Sequence, residues 1–248
     1  MKKTFLVIYL CLYTSIVYGG VDVTKAVIHH SDSPDWSSKK IGEMQIRDKK
    51  FREIGYHFVI RKNGDIEVGR LLSKTGAHAK FPINRNSYVG ICLTGYNEFS
   101  KNQVDSLYRL LNILGTREIY RHHNECPGKG LDVEKIQSNL KLYYKNVKYE
   151  HKGKATFYRD RKTANGTNMW LHPFTKTCAT WFYPIGIKLK VTNTANNKSV
   201  IVYVNDRGPN EYKMIQKGRI IDLSPSAFKN IANLNKGEIE VIINKIGE

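Results

Sequence analysis

The chain has 248 residues, with 40 Lys and Arg against 22 Asp and Glu, a formal net charge of +18 at pH 7. That length is too great for one small domain and suits two of ordinary size. The charge favours polyanionic partners, and since no nucleic-acid-binding motif occurs, DNA and RNA are excluded from them.

In chain order, Lys2 and Lys3 precede an almost unbroken apolar run from Phe5 to Val17, followed by the small residues Gly19 and Gly20. A basic start, an apolar core and a small-residue cleavage site predict a removed signal peptide over residues 1–19. The run is short for a membrane anchor and contains Tyr9, Tyr13, Thr14 and Ser15, and Leu10 before Cys11 does not suit a lipoprotein site. Export makes the protein secreted or periplasmic, where the available polyanions are cell-wall glycopeptide, teichoic acids and lipid headgroups. No later stretch is apolar enough to span a bilayer, so no stable membrane insertion is expected, and the chain is expected to be a monomer. The cysteines left after cleavage, Cys92, Cys126 and Cys178, are an odd and sparse set rather than a disulfide framework.

Residues 20–148 read as a first domain. Lys25-Ala26-Val27-Ile28 predicts a short strand running into His29 and His30. Residues 35–50, with Ile41, Met44 and Ile46, suit a short amphipathic helix. Tyr56–Lys62 and Asp65–Arg70 predict a hairpin joined at Asn63-Gly64. Tyr88–Thr94 is a further apolar strand, with Cys92 inside it as a small buried residue. Ser100 and Gln103 form a capping box before Val104, Leu107, Leu110, Leu111 and Leu114 at helical spacing. Ile119-Tyr120 is a strand, and Asp132 caps a last helix with Val133, Ile136 and Leu140 on one side.

Between those last two elements lies Arg121-His122-His123-Asn124-Glu125-Cys126-Pro127-Gly128. Two imidazoles and a thiol on a short loop offer the ligands zinc prefers. Because strands and helices alternate, side chains at strand ends converge above a sheet edge, which makes His29 the natural third ligand.

Val27-Ile28-His29-His30-Ser31, Gly55-Tyr56-His57-Phe58, Gly76-Ala77-His78-Ala79, Asn86-Ser87-Tyr88-Val89-Gly90-Ile91-Cys92 and the His/Cys-Pro-Gly stretch occur in an order that resembles zinc-dependent N-acetylmuramoyl-L-alanine amidases, the group of phage amidase-type lysozymes and peptidoglycan recognition proteins. The resemblance covers about residues 25–146. It implies an α/β fold with a mixed central sheet flanked by helices, a Zn2+ cofactor, and His29 and Cys126 as ligands. The middle ligand is His122 or His123. His122 is favoured because it follows the apolar Ile119-Tyr120 and leaves more chain before Cys126, whereas His123 stands two before Glu125. The resemblance places Tyr56 on the family's catalytic tyrosine and His78 on a histidine of the substrate groove. It also exposes a departure: Asn124 stands where a Lys or Thr is often found, and an amide cannot supply a proton. Lys129, just after the cysteine, is the candidate replacement.

Residues 149–248 read as a second domain, with Tyr149–Lys152 as the end of a linker. Lys188–Asn193, Ser199–Asn205 and Glu238–Ile243 predict strands, with a turn at Asn196-Asn197, and Pro225–Leu234 behind Ser224 is the one helix expected. Gly153-Lys154-Ala155-Thr156-Phe157-Tyr158, Thr163-Ala164-Asn165-Gly166, Val204-Asn205-Asp206-Arg207-Gly208-Pro209 and Gly218-Arg219-Ile220-Ile221-Asp222-Leu223-Ser224 resemble the six-stranded double-psi β-barrel of rare lipoprotein A-like proteins. Active members are implied to use a Glu, a His and an Asp. Here the positions hold Thr167, Cys178 and Asp206, so only the acid Asp206 remains as a catalytic candidate. Asp222 reads as loop structure, accepting backbone hydrogen bonds before a helix.

Together these readings predict a peptidoglycan hydrolase: a zinc amidase cutting the lactyl-amide bond between muramic acid and the stem peptide, with a barrel that binds or lytically cleaves stripped glycan. The rivals are a non-catalytic peptidoglycan-binding protein and an enzyme active only through its barrel.

Overall fold

Residues Asp22–His30 form β1, more than twice the length expected, because its outer half also finds partners: Asp22 pairs with Tyr88, and Lys25 with Glu118. The computed structural model describes residues 20–80, 83–146, 150–158 and 176–246. The signal peptide expected over residues 1–19, the Thr163–Gly166 motif and Thr167 lie outside the described residues. Among the described residues no helix is long and apolar enough to cross a membrane.

After β1 come α1 (Ser38–Lys49), the hairpin β2 (Phe58–Ile60) and β3 (Ile66–Val68), β4 (Tyr88–Leu93), α2 (Lys101–Leu114), β5 (Glu118–Arg121) and α3 (Val133–Asn146). The strands form one mixed sheet in the order β3-β2-β4-β1-β5, antiparallel only between β2 and β3. The hairpin closes through Arg61 and Asp65, with Gly64 at φ 92° ending a three-residue loop rather than a two-residue one. The capping box on α2 forms in both directions, between Ser100 and Gln103. In α1 Ile41 and Gln45 face inward, the Gln45 side chain accepting the Gly55 N–H at 2.8 Å, while Ile46 is exposed.

Strand alternation divides the sheet's two faces. Ala26, Ile28, Phe58, Ile60, Ile91 and Leu93 join Leu107, Leu110, Leu111 and Leu114 of α2 in the main core. Val59 and Cys92 meet Ile41 of α1 in a smaller cluster bordered by Trp36, Ile54 and Tyr56. At the carboxyl edge, Asp35 accepts from Arg61, from the Lys62 N–H and from the Thr94 hydroxyl, tying the loop after β1 to the ends of β2 and β4.

The remaining strands are β6 (Glu150–Phe157), β7 (Thr177–Ala179), β8 (Lys188–Asn193), β9 (Ser199–Asp206), β10 (Arg219–Leu223) and β11 (Ile239–Lys245). They close a six-stranded barrel in the order β10-β6-β11-β8-β9-β7. The parallel pairs β6 with β10 and β7 with β9 set in an otherwise antiparallel ring are those of a double-psi barrel. Two expectations are corrected here. Residues 150–152 are not linker: they open β6, pairing with Asn244, Ile243 and Ile242, because alternating polar residues suit a strand with one face outward. The barrel also carries a second helix, α4 (Glu211–Lys217), besides α5 (Pro225–Ile231). The Asn210 side chain caps α4 and Gly218 ends it.

Sheet and barrel share one continuous apolar core. Glu211 of α4 is buried and accepts the Leu72 N–H at 2.8 Å. His151 of β6 packs on Phe182 and Tyr183 and against the Gly115 cap of α2. Its Nδ1 is buried without a hydrogen-bond partner. Burial, reinforced by Arg117, lowers the His151 pKa to about 4.

A histidine whose folded pKa lies below its unfolded value near 6.5 stabilises the fold fully above that pH and loses its contribution as pH falls towards 4. The difference between wild type and His151→Phe in urea stability is therefore predicted to change by up to about 3 kcal/mol between pH 7 and pH 4.5, in the variant's favour on acidification. A parallel pH dependence in both proteins would show that His151 is not the group responsible.

Candidate metal centre and barrel groove

His29 is the penultimate residue of β1 and stands in register with Cys92 of β4, so both side chains leave the sheet on the α1 face. Ile28 pairs with Arg121, the last residue of β5, which makes His122 the neighbour of His29 across the strands. The imidazoles of His29 and His122 lie 4.6 Å apart between centroids. Reciprocal backbone hydrogen bonds between His123 and Cys126 fold the chain back within four residues and bring the thiol over. The ligand atoms of His29, His122 and Cys126 all lie within 4.8 Å of one another, with Cys126 Sγ 3.9 Å from His29 Nδ1.

A tetrahedral zinc with bonds of about 2.0–2.1 Å to nitrogen and about 2.3 Å to sulfur sets its ligands about 3.3–3.6 Å apart. Side-chain adjustments of well under an ångström for the 3.9 Å pair bring it to that spacing. Two imidazoles and a thiolate match the metal, and three protein ligands leave one position open. His123 is exposed, and its Nδ1 accepts the Glu125 N–H at 3.3 Å. Alternation past β5 turns it away from His29.

The ring of His29 is held from behind. His78 Nε2 lies 3.2 Å from the Tyr88 carbonyl, which can only accept, so that nitrogen carries the proton. His78 Nδ1 then accepts from His29 Nε2 at 3.1 Å, which leaves the lone pair of His29 on Nδ1, towards Cys126. Burial above all keeps both rings neutral: His78 is lowered to about 3, and His29 falls well below its usual value, helped by His78 and His122. His78 is only 8% exposed and sits behind the His29 ring, where an open groove would have left it accessible. Room for it exists because a Cβ on Gly76 or Gly90 would come within 2.4 Å of its ring.

Tyr56 stands over His29 with ring centroids 5.0 Å apart. Burial, with Cys92 and Cys126 beside it, pushes its phenol pKa well up, so the hydroxyl keeps its proton. Burial also raises the Cys126 thiol, opposed by the His30 N–H and the charge of Arg121. Asn124 and Lys129 are exposed on the loop, and among the described residues no hydrogen bond or ion pair ties either side chain to the cluster.

In the barrel, Cys178 is fully buried and burial pushes its thiol up, which suits a core residue. Asp206 ends β9 and accepts the Arg207 N–H at 2.8 Å. A groove of about 610 Å³ beside it is lined by Thr156, Tyr158, Lys213, Lys217, Arg219 and Asp222, among others. Asp222 is thus more than loop structure. Burial raises its pKa, Asp206 adds to that, and Thr156 donates to it. Sequence reasoning passed over this carboxyl because the helix cap that follows it accounted for an acid there.

Residues 19–129 match the family model for N-acetylmuramoyl-L-alanine amidase, and residues 150–243 the model for lytic transglycolase. The endolysin of Enterobacteria phage T3 is 32% identical over 120 residues, covering 42% of this chain and 78% of the phage protein. The endolytic peptidoglycan transglycosylase RlpA of Rickettsia felis is 42% identical over 91 residues, 37% of each chain. Four of the transglycosylases so matched are spanned over only 26–41% of their length. Among solved structures, the N-acetylmuramoyl-L-alanine amidase LysC from Clostridium intestinale is 30% identical, with a TM-score of 0.41 over 47% of this chain and 84% of that one.

Purified protein is predicted to bind about one zinc per chain. Cys126→Ser is predicted to abolish tight zinc binding, His123→Ala to leave it unchanged, and His78→Ala to weaken it about 10–100-fold by freeing the His29 ring. Competition titrations with a chromophoric chelator measure all three. Equal loss from His123→Ala and His122→Ala would overturn the assignment of the middle ligand.

Proposed function

From the premise that this chain belongs to the N-acetylmuramoyl-L-alanine amidase family through its first domain and carries a lytic transglycolase-family domain as its second, we propose that it is a zinc-dependent peptidoglycan amidase whose barrel holds the glycan strand. The proposed scissile bond is the amide between the lactyl group of muramic acid and L-alanine. The observation that carries this reading is the convergence of His29, His122 and Cys126 beneath a protonated Tyr56.

His29, His122 and Cys126 would hold a zinc ion, which would supply activation of water near neutral pH and polarisation of the carbonyl. The chain's residues do the rest. The relay from Tyr88 through His78 fixes which nitrogen His29 presents. The His30 N–H and Arg121 offset the cost of holding Cys126 as a thiolate in a buried place. Tyr56, partly buried over His29, donates a hydrogen bond to the oxyanion as the carbonyl becomes tetrahedral. Asn124 can help orient the leaving peptide but cannot protonate it.

A second reading of the barrel has its own observation. Asp222 is a carboxyl held towards its protonated form in a groove, next to Asp206. Such a pair suits donation of a proton to a glycosidic oxygen while the sugar's own 6-hydroxyl attacks.

Digestion of purified sacculi, read by mass spectrometry, separates these activities. Release of stem peptides with a free L-alanine amine is predicted to stop with chelator and to fall about 10²–10³-fold in Tyr56→Phe without loss of bound zinc. Stem-peptide release that survives chelation would overturn the amidase reading. Anhydromuramic ends that vanish in Asp222→Asn and Asp206→Asn would establish lytic cleavage, whereas their absence from wild-type digests would leave the barrel a binding domain.

A further inference from the structure

Arg121 ends β5 directly before His122, and alternation along the strand sends its side chain to the sheet face opposite the ligand. There the guanidinium meets the chain that follows Cys126. Nη1 donates to the Gly128 carbonyl at 3.2 Å and Nη2 to the Leu131 carbonyl at 3.0 Å. Nε and Nη2 also donate to the two carboxylate oxygens of Glu134, in the first turn of α3, at 2.9 and 3.0 Å. The bonds to the carbonyls are partly buried, whereas the Glu134 side chain is 70% exposed. An exposed ion pair contributes little, so the two carbonyl contacts carry most of the restraint.

What this restraint encloses follows from the order of residues. Arg121 precedes His122, and the carbonyls it holds come two and five residues after Cys126. Both loop ligands therefore lie inside one bracket. Within it, His123 and Cys126 exchange backbone hydrogen bonds at 3.3 and 3.0 Å, and a hairpin with so little pairing is marginal by itself. On its other flank the segment packs against the loop after β4: a Cβ on Gly128 would meet the Tyr96 carbonyl at 2.6 Å, and one on Gly130 would overlap the Asn97 carbonyl. The loop is thus pressed from one side and tied from the other. A lysine could supply the charge of Arg121 but not the planar fork that reaches two carbonyls and a carboxylate together.

We propose that Arg121 is a positioning residue for the metal centre: by tying the end of β5 to Gly128 and Leu131 it sets the spacing of His122 and Cys126 before a metal binds. The proposal rests on the three-ligand reading for the metal, and on the hydrogen bonds of Arg121 for the spacing. It goes beyond the favourable charge that the same residue places near the thiol, because it requires the two carbonyl contacts. Partners outside a metal's own ligands commonly govern affinity in this way, by holding the ligands where the metal needs them.

The test compares full-length wild type with Arg121→Lys, Arg121→Gln and Glu134→Gln in two measurements. Zinc affinity is read by chelator competition, and the exposure of Cys126 in metal-free protein by the rate of iodoacetamide labelling, followed by peptide mass spectrometry. Both Arg121 variants are expected to bind zinc about 10–100-fold more weakly, and Glu134→Gln to stay within about fivefold of wild type. Labelling of Cys126 is expected to rise about tenfold or more in Arg121→Lys, although the charge is kept. Arg121→Lys matching wild type while Arg121→Gln fails would assign the effect to charge and overturn the proposal. So would a lowered urea midpoint with unchanged affinity and labelling, or a rise in labelling shared by the fully buried Cys92 and Cys178, which marks loss of the fold. Wild type that binds no zinc overturns the three-ligand reading instead, and the labelling rates, which need no metal, still decide whether Arg121 holds the loop.

Discussion

The parallel pairing of β1 between β4 and β5 is the constraint from which the site follows. It sets His29 beside the end of β5, bringing together ligands separated by more than ninety positions, with Cys92 on the other flank. Side-chain alternation then decides everything at the carboxyl edge. Ile28 faces the leucines of α2, and His29 must face α1, where the sheet is covered by a small cluster and not by the main core. A slip of one residue would bury the imidazole among leucines and present an isoleucine to the loop.

The second determinant is desolvation. Three histidines, His29, His57 and His78, are buried close together, and burial is the first cause of the lowered pKa of each. A cluster of neutral rings is tolerable only if every nitrogen has a role. His57 spans the Gly90 N–H and the Lys74 carbonyl, and His78 spans His29 and the Tyr88 carbonyl. The one ring nitrogen in this chain of contacts left with its lone pair towards the thiol is His29 Nδ1. Packing and hydrogen bonding thus fix the His29 ring in the orientation that the proposed metal centre requires.

Much of this was legible in the sequence, and what was not has physical causes. The capping box at Ser100, the leucine stripe after it and the strand before His29 carry local signals, and they appear where periodicity and capping put them. The loop Arg121–Gly128 announced its residue types, and the apolar Ile119-Tyr120 before it favoured His122, the histidine that the phase of β5 turns towards His29 and Cys126. The contact of His78 with His29 could not be read, because its partner lies 49 residues away and the glycines at 76 and 90 make room for it. Helix α4 is seven residues long, too short for a period to show, although Asn210 and Gly218 mark its ends. Residues 150–152 looked like linker because charge masks a strand whose other face completes a barrel.

The barrel extends the same logic of burial acting on charge, with burial raising the Asp222 carboxyl against the pull of Thr156, Arg219 and Lys213. The account stands on the three-ligand centre, and zinc-edge X-ray absorption of the loaded protein addresses it directly. The predicted first shell holds two nitrogens at about 2.0–2.1 Å, one sulfur at about 2.3 Å and one further light atom at the open position. A shell with two sulfurs, drawing in Cys92 and closing the site, or one with no sulfur at all, would contradict it.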